Sequence, residues 1–128
     1  MKINHHQKEI CRLLNYQFKS NRLLEEALTH SSARKSSKAN NERLEFLGDR
    51  VLGLIIAEEL LRLNPNSTEG QIATYYNYLV KKETCALIAK EIGLENLLTL
   101  GKSVKRTSNR QKDKILGNAV EALIAAIF

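Results

Sequence analysis

One proline, six glycines and two cysteines are spread over 128 residues, and no long uncharged apolar run is present. Each shortage excludes something. Strand-like alternation of apolar and polar residues is missing too, so with so few breakers the pattern reads as helical almost throughout. Cys11 and Cys85 stand at no metal-like spacing; they read as two reduced thiols packed as small apolar groups, which fits a reducing cytoplasm. No apolar stretch approaches the ~18 residues of a membrane span, and residues 1–12 are too polar and charged for a signal peptide. Internal repeats and low-complexity segments are absent. What remains is one all-α cytoplasmic domain of ordinary size.

Apolar residues make up 43% of the chain, enough for a core without disulfides. Twenty Lys and Arg against fourteen Asp and Glu leave a net charge of +6, which permits a polyanionic partner without demonstrating one. Six basic residues, Lys102, Lys105, Arg106, Arg110, Lys112 and Lys114, crowd one stretch against the single acid Asp113, and Arg34, Lys35 and Lys38 form a second cluster. Both stretches read as polar loops, either solvated or phosphate-binding.

The expected helices run over about 4–14, 22–29 and 41–63, with a polar connection at 30–40. Asn64-Pro65 ends the long helix, because a residue before proline avoids the helical region. Thr68 and Gln71 form a capping box for the next helix, to about Val80. Another follows over about 82–92, closed by Gly93. Residues 94–100 form a short helical turn, and the last helix starts near Lys112.

The long helix opens with N-E-R-L-E-F-L-G-D at Asn41 to Asp49. Glu42, Glu45 and Asp49 are spaced i, i+3, i+7, within a sector of roughly 60°. Leu44, Leu47, Val51, Leu54 and Ile55 gather opposite, as a core face. An acidic row repels itself unless it stands in open water or holds a cation. Gly48 and Gly53 interrupt a helix of otherwise good formers, at roughly 1 kcal/mol each, and permit close approach by another segment. Phe46 sits beside the acids, away from that core face. It either fills a pocket on a partner subunit or is covered by its own chain.

Asn118 and Glu121 stand i, i+3 in the last helix, and Glu121 is the only formal charge after Lys114. A lone acid in an apolar helix is costly if buried alone, so it is either paired with a Lys or Arg or held by metal. Mg²⁺ would accept the carboxylates of Glu45, Asp49 and Glu121 with the amide oxygen of Asn118.

These motifs resemble ribonuclease III. The Asn41–Asp49 run is similar to that family's signature. E-A-L-T-H-S-S at Glu26 to Ser32, E-G at Glu69-Gly70, and I-L-G-N-A-V-E-A-L-I-A-A-I-F at Ile115 to Phe128 match it in order and spacing. The resemblance covers about residues 6–128. It implies an all-helical endonuclease domain that forms a symmetric homodimer and holds double-stranded RNA in a valley. Each subunit would cut one strand with Mg²⁺, or Mn²⁺ in its stead, leaving staggered 5′-phosphate and 3′-hydroxyl ends, as in processing of ribosomal and other RNA precursors. By position, Glu45, Asp49, Asn118 and Glu121 would ligate metal, with Asp49 and Glu121 most directly catalytic. Glu42 and Glu69 would be acids near the valley, and Phe46 the aromatic inserted into the partner subunit.

The chain departs from the family pattern in three places. Asn118 replaces an acid, which implies weaker metal affinity or a shift toward Mn²⁺. Gln71 to Tyr76 replaces an acid followed by basic residues, so Tyr75 and Tyr76 either pack in the core or alter the valley rim. This sequence contains no double-stranded-RNA-binding domain, and it stops inside an apolar helical run, as a part of something longer would; by itself the domain is expected to bind RNA weakly and to need low salt. The competing reading is a weakened or inactive domain serving as an RNA or ribosome scaffold. Asn118 favours it; the retained acids, which repel RNA, favour an enzyme.

Overall fold

The computed structural model describes residues 2–104 and 107–128. Lys105 and Arg106 of the basic stretch lie outside the described residues. Among the described residues six helices follow in order: α1 (His5–Leu14), α2 (Asn21–Ala27), α3 (Glu42–Leu63), α4 (Glu69–Val80), α5 (Lys82–Glu91) and α6 (Asn109–Ile127), with 3₁₀ turns at Leu94–Leu97 and Lys102–Val104. Among the described residues no strand forms; a single parallel bridge joins Thr29 to Thr99. No described helix is long and apolar enough to cross a membrane.

Local chemistry sets most of the boundaries. Asn4 and Gln7 cap α1 reciprocally, as do Thr68 and Gln71 for α4, each pair satisfying two N–H groups that a helix start leaves open. Gly93 takes φ +76° after α5, a left-handed conformation that costs a glycine little. The last helix begins three residues earlier than expected. The Ser108 side chain accepts the Gln111 N–H, and the first turn of α6 is thereby drawn out of the basic stretch.

The core is organised around α6, which packs on both α3 and α5. From Ile115 to Ala125 nearly every residue of α6 is buried. Ala119, Ala122 and Ala125 keep its surface low, and Ala86 and Ala89 do the same on α5, so the axes come close. Ile10, Leu24, Leu28, Leu94 and Phe18 close the other side. Cys85 is buried among them, and desolvation holds its thiol pKa above the ordinary value. Both cysteines are free.

The expected core face of α3 needs correction. Leu44 and Val51 are buried, but Leu47, Leu54 and Ile55 are exposed, Leu54 to 71%. Leu47, Leu54 and Leu61, spaced by seven, leave an apolar stripe on the surface of α3. Periodicity marks an apolar face but not whether its cover comes from the same chain. Tyr75 is half exposed, while Tyr76 lies partly buried with its hydroxyl against Gly53, where an added Cβ would come within 2.6 Å of it.

Candidate metal centre

The start of α3 is pinned by two buried asparagines. Asn41 N–H donates to the Thr29 carbonyl at 2.9 Å. Asn40 Nδ2 donates to the Arg34 carbonyl at 2.8 Å, and its Oδ1 accepts the Glu42 N–H at 3.1 Å. The acidic row therefore begins at a fixed point. Glu42 and Glu45 fall in the first turn, where the positive end of the helix dipole offsets their mutual repulsion. Asn40 thus positions the acidic turn, a role the sequence signals only by an Asn-Asn pair directly before an acidic helix start.

Glu42, Glu45 and Asp49 line a shallow depression with Phe46, Arg50 and Lys82. Glu121 is set deeper, 1% exposed. It reaches this position because α6 lies directly on Gly48: a Cβ there would overlap the backbone carbonyl of Glu121. Lys82, the first residue of α5, joins the two helices. Its ammonium donates to Glu121 Oε1 and stands 3.6 Å from Glu45 Oε1. The Lys-paired alternative for Glu121 is thus realised at one of its two oxygens. Lys82 is also invisible to sequence reasoning; only the unmatched charge of Glu121 signals that a cation has to come from somewhere.

Asp49 is more open. Its side chain is 57% exposed and its Oδ2 lies 3.8 Å from Arg50. Glu69 stands apart, exposed in the first turn of α4 and outside the depression. Phe46 is 62% exposed, with the Arg50 guanidinium 3.5 Å above its ring; no other element among the described residues buries it. It also stands on the rim of a second cavity, about 680 Å³, between α2, the 37–38 segment and α3.

Hard oxygen donors are what a magnesium-like cation prefers, and two of them lack partners. Glu121 Oε2 and Asn118 Oδ1 are buried without a hydrogen bond from any of the described residues. Buried polar atoms of this kind are costly unless something cationic or protic satisfies them. The residues therefore fit a divalent cation. They do not form a finished cage: among the described residues no three His, Cys, Asp or Glu side chains are arranged to hold a metal ion. Lys82 stands between Glu45 and Glu121, and Asp49 lies beside Arg50.

His30 links this region to the loop framework. Ser32 N–H donates to its Nδ1 at 3.1 Å, Ser32 Oγ lies 2.7 Å from the same nitrogen, and Gly101 N–H donates to Ser32 Oγ at 2.9 Å. Nδ1 is thus an acceptor, and the neutral ring carries its proton on Nε2. Burial lowers the His30 pKa below 6.5, although Glu42 and Glu45 pull it upward. Because the folded value lies below the unfolded one, the unfolded chain binds more protons between them. Stability contributed by His30 is therefore present above pH 6.5 and is lost as pH falls through that value toward the folded pKa. Thermal melts from pH 8 to 5 should show this slope in the wild type and a flatter one in His30→Gln. Parallel curves for the two proteins would contradict the assignment.

Comparisons with known proteins bear on the family of the chain. A family model described as Ribonuclease-III-like matches residues 20–128. Ribonuclease 3 of Dinoroseobacter shibae is 48% identical over all 128 residues, which cover 56% of that protein. Ribonuclease 3 of Ruegeria pomeroyi is 47% identical, again across the whole chain and over 57% of its own length. The chain thus spans a little over half the length of these curated relatives. Among solved structures, a nuclease domain of ribonuclease III from Campylobacter jejuni, described for flexibility in a region involved in dimer formation, superposes with a TM-score of 0.87 at 38% identity. That match covers 94% of this chain and 82% of the other. A second structure of the same nuclease domain gives 0.87 at 36% identity, over 97% and 83%. A carboxylate row on α3 facing a buried acid on α6, on a fold shared with these relatives, leads to one assignment: the chain belongs to the ribonuclease-III-like family.

Proposed function

We propose that this domain is a metal-dependent endoribonuclease that hydrolyses phosphodiester bonds in double-stranded RNA, leaving 5′-phosphate and 3′-hydroxyl ends. The observation that carries the proposal is the pair of partnerless buried oxygens on Glu121 and Asn118, next to Glu45. Glu45, Asp49, Asn118 and Glu121 hold the cation, with Mg²⁺ as the natural ion and Mn²⁺ as a substitute. Such a cation supplies Lewis acidity and charge neutralisation for in-line attack of water on the phosphodiester. The protein's own part is orientation: α3 and α6 fix the carboxylates against each other, and the acids of α3 meet solvent where a strand can enter. Glu42 and Glu69 border the RNA path. Lys102, Arg110 and Lys114, on the surface, supply phosphate contacts that weaken with salt. A-form duplex is recognised through backbone and minor groove, so little base specificity is expected. Precursors of ribosomal and other RNAs in the cytoplasm are the substrates this chemistry suits, and two unpaired cysteines are consistent with that compartment.

The test is cleavage of a long RNA duplex at low salt. Mg²⁺ or Mn²⁺ should support it and EDTA should stop it. Asn118→Asp should lower the Mg²⁺ concentration needed for half-maximal cleavage by about tenfold, because it restores a charge at a ligand position. An unchanged metal requirement would remove Asn118 from the site. One feature favours the scaffold reading: the neutral Asn118 amide leaves the site short of an acid. Duplex binding with no cleavage under any metal condition would establish that reading instead.

The same reading includes a symmetric homodimer. The apolar stripe of α3 and the exposed Phe46 beside a cavity support it, because a two-fold interface would bury the same patch on both copies. Phe46→Ala should weaken self-association by roughly 100-fold in Kd, the usual cost of removing an aromatic anchor. Sedimentation that shows an equally tight dimer would exclude that role.

A further inference from the structure

We infer that Lys82 is a built-in counter-cation of the acidic site, and that a divalent metal binds only by displacing its ammonium. The inference rests on the metal-dependent reading above and adds to it a residue that competes with the metal.

Three observations carry it. Lys82 contacts both Glu121 and Glu45, one carboxylate from each of the two helices that form the site. Its stem has a prepared bed: a Cβ added at Gly117 would come within 2.6 Å of Lys82 Cδ and 2.8 Å of its Cγ. Glycine at 117 thus lets the chain of Lys82 cross α6 and deliver its charge to Glu121. Lastly, Lys82 stands on the wall between two depressions. One is the acidic hollow of Glu45 and Asp49; the other is a cleft of mixed charge, where Glu83 and Asp113 stand with Arg110 and Lys114. The ammonium has somewhere to go when it leaves Glu121.

The electrostatic consequence is direct. Glu45, Asp49 and Glu121 carry three negative charges, and Lys82 in place reduces the set to −2. With neutral Asn118 the site holds less negative charge than its oxygen count suggests. The ammonium satisfies only one oxygen of Glu121 and leaves Oε2 and Asn118 Oδ1 without partners. It therefore neutralises the buried acid in the metal-free protein without completing the site. A divalent cation has the larger charge and can accept all of these oxygens, but it must first overcome the lysine.

The experiment needs neither RNA nor turnover. Mn²⁺ binding is measured by calorimetry, and thermal midpoints are taken in EDTA and in Mn²⁺, for wild type, Lys82→Met, Lys82→Gln and Lys82→Arg. Met keeps the stem over Gly117. Gln keeps a donor for Glu121 without the charge, so one neutral variant remains folded if Met does not. Both neutral variants should bind Mn²⁺ at least about tenfold tighter than wild type. Their midpoints should fall in EDTA and rise further on Mn²⁺ addition than the wild-type midpoint does. Lys82→Arg should bind as the wild type does. Neutral variants that bind Mn²⁺ no tighter than wild type overturn the displacement model and leave the metal site standing. Mn²⁺ binding by none of the four proteins overturns the metal reading itself, and this inference with it.

Discussion

Glu121→Ala should lower kcat for duplex cleavage by about three orders of magnitude, and Glu121→Gln should do nearly the same while keeping the fold. The size follows from the number of jobs the carboxylate does. It is 1% exposed, its Oε2 has no partner among the described residues, and its Oε1 takes the Lys82 ammonium. Losing a metal-facing carboxylate removes several kcal/mol of transition-state stabilisation, and each 1.36 kcal/mol is a factor of ten in rate. Alanine also strands Lys82 without its main partner. Because that side chain is about one-third exposed it can rehydrate, so the stability cost stays near 1–2 kcal/mol rather than the 3–5 of a fully buried pair. Glutamine still offers an oxygen to Lys82, so its melting point stays closer to wild type while its activity does not. Single-turnover cleavage beside thermal melts separates the two effects. Glu121→Gln that cleaves at the wild-type rate would remove Glu121 from the chemistry.

Much of the fold is legible in the sequence because its signals are local. The capping box of Thr68 and Gln71 and the left-handed Gly93 follow from single residues and their immediate neighbours, whereas the Ser108 cap of α6 is hidden in the basic stretch. The need for a partner at Glu121 is legible too, since a lone Glu in an apolar helix cannot stay unmatched. Two features are not legible, and each depends on contacts far apart in sequence. Lys82 lies 39 residues from Glu121, and nothing in Lys81-Lys82 distinguishes the one that turns inward from its neighbour. A helical wheel groups the apolar residues of α3 into one core face because it counts hydrophobicity without its destination. Leu44 and Val51 go to the core, whereas Leu47 and Leu54 remain outside. That outcome is itself informative. An apolar stripe that its own chain leaves exposed needs another surface, and a second copy of the chain is the natural candidate.

The second large effect is at Gly48. Gly48→Ala should lower stability by about 2 kcal/mol and weaken metal binding at the same time. A Cβ at this position would overlap the Glu121 carbonyl and sit 3.1 Å from its Cα. Those are backbone atoms inside α6, so no rotamer change relieves the clash and the helices must separate. Overpacking of this kind costs roughly 1–3 kcal/mol and occasionally more. The better helix propensity of alanine returns at most about 1 kcal/mol, so the steric effect wins. Gly48 lies between Glu45 and Asp49 on α3, and Glu121 lies on the element pushed away. Separation therefore widens the gap between the acids, and the loss of metal affinity accompanies the loss of stability. Gly70→Ala is the matched control: nothing lies within 4 Å of its added Cβ in the first turn of α4, so it should be neutral or stabilising by up to about 1 kcal/mol. Thermal melts of both variants, with Mn²⁺ calorimetry on each, decide the matter. A Gly48→Ala protein as stable as the Gly70→Ala control would mean that α3 and α6 are not held at the separation on which the paired carboxylates depend.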